Sequence, residues 1–100
     1  WSSAYEKEQA AFALFGLALN NSDNQVSIAR AGGIDPLVDL LRSGSAYGKK
    51  WAARALYNLV GNSDNKSTIR SKYLSVIKSV RDKENGGVRS EFDDLLNECN

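Results

Sequence analysis

Histidine and methionine are absent from the 100 residues, and cysteine and proline occur once each, as Cys99 and Pro36. Without histidine there can be no Ser-His-Asp or Cys-His relay. A single cysteine forms neither an internal disulfide nor a Cys/His metal set. The lone thiol fits a reducing compartment, which points to a cytoplasmic or nuclear location. No apolar run approaches the ~20 residues that cross a bilayer, and the amino end lacks the signal-peptide pattern, so no membrane partner is expected. An excess of one charge sign is missing as well. Thirteen Lys and Arg face twelve Asp and Glu, a net charge of +1, which argues against nucleic acid or an anionic membrane as partner. Methionine is missing even from position 1, so the chain is expected to be a piece of something longer. There is no phosphate loop, nucleophile elbow or metal-ligand spacing, and no serine has a base to activate it. The chain therefore reads as a non-enzyme with no cofactor and no metal. Its composition, 42% apolar and 25% charged, is that of a folded globular domain.

What is present is repetition. Over positions 3–17, nine of fifteen residues are identical to those 42 places on, from Ser3-Ala4-Tyr5 against Ser45-Ala46-Tyr47 to Leu17 against Leu59. Asn21-Ser22-Asp23-Asn24 then recurs as Asn62-Ser63-Asp64-Asn65 at an offset of 41, with Ile28 against Ile69. The match weakens beyond, where Ile34, Leu37 and Leu40 answer Leu74, Ile77 and Val80 at an offset of 40. A period near 42 belongs to helical solenoids.

Each unit reads as a short helix, a second helix and a long helix. Residues 4–19 and 46–60 are rich in Ala and Leu, with Ala10, Leu14, Leu17 and Ala52, Leu56, Leu59 at helical spacing. The Asn-Ser-Asp-Asn stretches end one helix and cap the next. Gly32-Gly33 permits a tight turn, and Asp35-Pro36 is expected to restart the chain as cap and first-turn proline. The corresponding later segment keeps the apolar spacing over Tyr73–Val80, but Lys72, Tyr73 and Val76 replace its Gly-Gly and Pro. It is expected to form a degenerate first and second helix. At the end, Val88, Phe92, Leu95, Leu96 and Cys99 form an apolar stripe opposite Glu91, Asp93, Asp94 and Glu98. This pattern suits a C-terminal cap, and the carboxylates read as a solvated helix face.

On the long helix, Ala52, Leu56 and Leu59 share one side. Tyr47, Trp51, Arg54 and Asn58 fall within about 40° of each other on the opposite side. Their counterparts in the first unit are Tyr5, Gln9, Phe12 and Gly16. Exposed aromatics beside an amide and a guanidinium are hot-spot chemistry for binding protein. Lys49-Lys50 with Trp51 falls short of the basic groove that single-stranded nucleic acid requires.

The segments Ala-Gly-Gly-Ile-Asp-Pro-Leu-Val-Asp-Leu-Leu-Arg-Ser-Gly (31–44), Trp-Ala-Ala-Arg-Ala-Leu-Tyr-Asn-Leu-Val (51–60) and Gln-Ala-Ala-Phe-Ala-Leu-Phe-Gly-Leu-Ala (9–18) resemble the armadillo repeat family. HEAT units have similar helices, but the Gly-Gly turn favours armadillo. The resemblance covers roughly residues 3–70. It implies an all-α fold, a right-handed α-solenoid of three-helix units. Residues 1–19 would be the third helix of a partial repeat, 20–60 a complete repeat, and 61–100 a degenerate repeat with a capping helix. It also implies a concave groove lined by third helices, where Asn58 matches the asparagine that pairs with a bound peptide's backbone. Gly16 holds that place in the first unit. The tryptophan usual one turn earlier is replaced by Phe12 and Arg54. The function expected on this basis is binding of a protein or peptide through Phe12, Tyr47, Trp51, Arg54 and Asn58. With Arg54 and Lys50 present and acidic groove residues absent, a neutral to acidic partner is expected. A solenoid normally needs about three repeats. The uncovered first helix, through Ala10, Leu14 and Leu17, is therefore expected to drive homo-oligomerisation of the isolated chain.

Overall fold

Four helices open on a side chain that closes their first turn. Ser3, Asn21, Ser45 and Asn62 each accept a hydrogen bond from the backbone N–H three residues on, at 2.9–3.2 Å. This satisfies one of the amides that a helix start leaves without a partner. In the computed structural model, which describes residues 3–84 and 87–99, the helices are α1 (Ala4–Ala18), α2 (Ser22–Arg30), α3 (Ile34–Ser43), α4 (Ala46–Leu59), α5 (Ser63–Lys83) and α6 (Arg89–Cys99). No strand occurs among the described residues, and none of their helices is long and apolar enough to cross a membrane.

The turn between α2 and α3 depends on glycine. Gly32 has φ +84°, a conformation that residues with a Cβ resist. At Gly33 an added Cβ would lie 2.7 Å from an Ile28 methyl carbon and 3.0 Å from the Ile28 carbonyl oxygen. α3 begins one residue before the expected cap. Gly33 occupies the cap position without a side-chain bond, and Asp35 lies inside the first turn, where a carboxylate complements the helix dipole. Pro36 is tolerated there because amides of the first turn have no partner within the helix.

The degenerate pair of helices expected after Asn62 is a single 21-residue helix, α5. The place of the Gly32-Gly33 turn is taken by Lys72 and Tyr73, whose Cβ atoms disfavour the left-handed turn, and Tyr73 is buried. The helix therefore runs on.

α3 buries Leu37, Val38, Leu40 and Leu41, α4 buries Leu56 and Leu59, α5 buries Ile69 and Ile77, and α6 buries Phe92 and Leu95. α1 lies along α4 in the most extensive helix–helix contact of the fold. Small side chains permit that approach, since Ala11, Ala18, Gly48, Ala52, Ala53 and Ala55 are all buried. The Glu8 carboxylate accepts from the Ser45 hydroxyl at 2.6 Å and ties the two helices at one end. α6 packs against both α4 and α5, as α4 packs against α1 and α3. Only Ala11 and Ala18 of α1 are fully buried, while Ala10 and Leu14 are half-buried. Leu17 is 54% exposed, although its counterpart Leu59 is inaccessible.

Candidate protein-interaction face

Trp51 is the centre of the face read from the sequence. It is half-buried and serves as a floor, which differs from the free indole that spacing alone suggests. Its ring centroid lies 4.7 Å from Phe12 in an edge-on arrangement, 5.1 Å from Phe15 and 6.2 Å from Tyr47. The Lys50 ammonium and the Arg54 guanidinium stand 5.2 and 5.1 Å from the same ring, within cation–π range. The indole N–H is buried and finds no hydrogen-bond acceptor among the described residues. Phe12 and Tyr47, at 45% and 44% exposure, form the accessible rim. The fold thus brings Phe12, Tyr47, Trp51 and Arg54 into one cluster spanning α1 and α4.

Asn58 lies at the other end of this face and is already engaged. Its Nδ2 donates to the Phe15 carbonyl at 3.0 Å. Phe15 is in the last turn of α1, where carbonyls lack a partner within the helix. Asn24 and Gln25 do the same for Leu17 and Ala18, at 2.7 and 3.0 Å. The side-chain amides that follow α1 in sequence or space therefore close its end. Asn65 repeats the motif on α4, donating to the Leu59 carbonyl at 3.1 Å, and also reaches back to Gln25 at 3.0 Å.

Between the end of α1, the second half of α4 and the start of α6 lies a cavity of about 410 Å³, lined by Phe15, Leu19, Arg54, Tyr57, Asn58, Ser90, Glu91 and Asp94. Arg54 Nη2 stands 3.7 Å from Glu91 Oε1, whose side chain is nearly buried. The family model described as Armadillo/beta-catenin-like repeat matches residues 21–61. The chain carries an armadillo repeat there. With its six helices and no strand among the described residues it is a helical solenoid. Comparison with curated proteins and with solved structures finds no match.

Six residues that line this cavity escape the sequence reading: Phe15, Leu19, Tyr57, Ser90, Glu91 and Asp94. For the two carboxylates a signal exists in the repeat itself. Carried forward at an offset of 40, Ala52, Ala55, Leu56 and Leu59 of α4 fall on Phe92, Leu95, Leu96 and Cys99 of α6. All eight are buried. In that register Trp51 falls on Glu91 and Arg54 on Asp94, so α6 continues the face with carboxylates. The premise that acidic residues are absent from this face is thereby corrected. Arg54 shares its charge with Glu91 and is not an unopposed cation for an acidic ligand.

Proposed function

We propose that this armadillo chain is a non-catalytic protein-interaction module that holds a peptide or helix of a partner across α1 and α4. Armadillo repeats are commonly protein-interaction modules. One observation carries the reading further: Phe12 and Tyr47 stay exposed on either side of a Trp51 floor whose N–H has no partner among the described residues. Rigid aromatics around a shielded pocket, with a guanidinium beside them, are the anchors from which interface hot spots are made. Asn58 contributes its remaining carbonyl oxygen to a ligand backbone. One of its two amide N–H groups already supports α1. The partner's charge is set less by Arg54 than the sequence suggests, and the aromatic anchors dominate. A buried, unpaired thiol at Cys99 suits a reducing compartment such as the cytoplasm or nucleus.

The same reading divides the solenoid into an inner helix over 1–19, a complete unit over 20–60 and a closing unit over 61–100. In the offset-40 register Ala53 and Tyr57 become Asp93 and Asn97. Such a polar outer flank is what a terminal unit requires.

Panning a random peptide library on the protein tests the groove. Selected peptides are expected to lose about tenfold in affinity or more on Phe12→Ala or Tyr47→Ala, with helix content by circular dichroism unchanged. Binders indifferent to both substitutions overturn the assignment. A second reading, self-association through α1, is favoured by the exposure of Leu17 where Leu59 is covered. In that case Leu17→Lys converts an oligomer to a monomer in sedimentation velocity and leaves peptide binding intact. Wild-type protein sedimenting as a monomer at high concentration removes this reading.

A further inference from the structure

A cavity of about 590 Å³ lies away from the aromatic face. It forms where the last turn of α3, the first turns of α4 and the last turns of α5 meet. Arg42, Lys49 and Lys83 come to it from three different helices, against one carboxylate, Glu84. Lys49 and Glu84 bond at 3.2 Å, and both side chains are largely covered. This pair offsets the cost of placing an ammonium at the positive end of α4. The other two cations are less occupied. Arg42 stands 3.8 Å from Asp39 in an exposed contact, the kind worth little in water. Lys83 makes no ion pair among the described residues.

The hydroxyls point the same way. Serines inside helices commonly bond back to the carbonyl four residues earlier. Ser43 and Ser71 do so, at 3.0 and 2.9 Å. Ser75 and Ser79, one turn apart on the cavity wall, have no such bond among the described residues. Val76 and Val80 also line the cavity and are half-buried. They lower the local polarity on one side and strengthen charge interactions there. Two hydroxyls able to donate and an excess of cations, with no carboxylate beyond the engaged Glu84 among the lining side chains, match a ligand that accepts hydrogen bonds and carries negative charge. We propose that this cavity binds a phosphate-type oxyanion. Arg42 and Lys83 supply the charge, Ser75 and Ser79 the hydroxyl donors. A free polyphosphate and a phosphorylated side chain of a partner present the same group.

The test is titration of the ¹⁵N-labelled protein with pyrophosphate and with O-phosphoserine, each at constant ionic strength set with sodium chloride. Amide shifts are expected to concentrate at residues 42, 75, 79 and 83. Arg42→Glu with Lys83→Glu should weaken binding about tenfold or more, as loss of charge-assisted bonds does. Ser75→Ala with Ser79→Ala should weaken it about threefold to tenfold without altering surface charge. The tighter of the two probes identifies the source of the phosphoryl group. Shifts spread equally over Lys66 and Arg70, or binding unchanged in both double variants, overturn the proposal.

Discussion

Replacing Phe92 with alanine is expected to lower the free energy of unfolding by about 3–5 kcal/mol. Phe92 is the largest fully inaccessible side chain among the described residues, and its removal costs both transfer free energy and an unfilled cavity. A domain of this size has about 5–15 kcal/mol in hand, so one substitution removes a large share of it. In a solenoid each unit leans only on its neighbours, and α6 is held chiefly by α4 and α5. The loss therefore falls first on α6 docking. Cys99 reports it directly, because this thiol is inaccessible on α6 and burial pushes its pKa up. It should react slowly with a thiol reagent in the native protein and much faster in Phe92→Ala. Urea denaturation checks the magnitude, and a loss below about 1 kcal/mol would contradict the packing of α6 described above.

Asn65→Ala is expected to cost about 2 kcal/mol, and Asn24→Ala less than about half of that. The two asparagines hold the same place in successive units and begin from the same motif. Asn65 is buried and its Nδ2 serves two carbonyls, Gln25 and Leu59, which belong to α2 and α4. Asn24 makes one such bond, to Leu17, in a more exposed setting. Substitution at 65 therefore removes a link between units and leaves buried acceptors short of a donor, while substitution at 24 loosens the end of one helix. Parallel urea titrations of the two variants decide the point. Equal losses would mean that the bond to Gln25 carries no weight.

The helices were readable because each fills one slot of a period. Residues 4–19 and 46–60 were expected as helices, and Ala4–Ala18 and Ala46–Leu59 are found. The fusion of α5 was less accessible. The missing glycines at 72 and 73 were visible, but whether a helix runs through depends on burying Tyr73, which is a tertiary matter. The core side of α4 was legible from Ala52, Leu56 and Leu59. On the aromatic face, spacing placed Tyr47, Trp51, Arg54 and Asn58 together. It gave no access to Asn58 reaching Phe15, because that bond depends on the relative height of α1 and α4. From the sequence Glu91 and Asp94 read as solvated, since nothing in a lone amphipathic helix tells which neighbour its polar side will meet.

The uninterrupted α5 has a mechanical consequence. A rod of 21 residues rises about 31 Å. It joins what are two separately angled segments in the preceding unit, where Gly32 supplies the corner. A change of angle at the glycine corner is open to α2 and α3, and the continuous α5 has no such corner. Elastic compliance is thus concentrated in one half of the molecule, and strain applied at either end is relieved at the glycine corner while the rod stays straight.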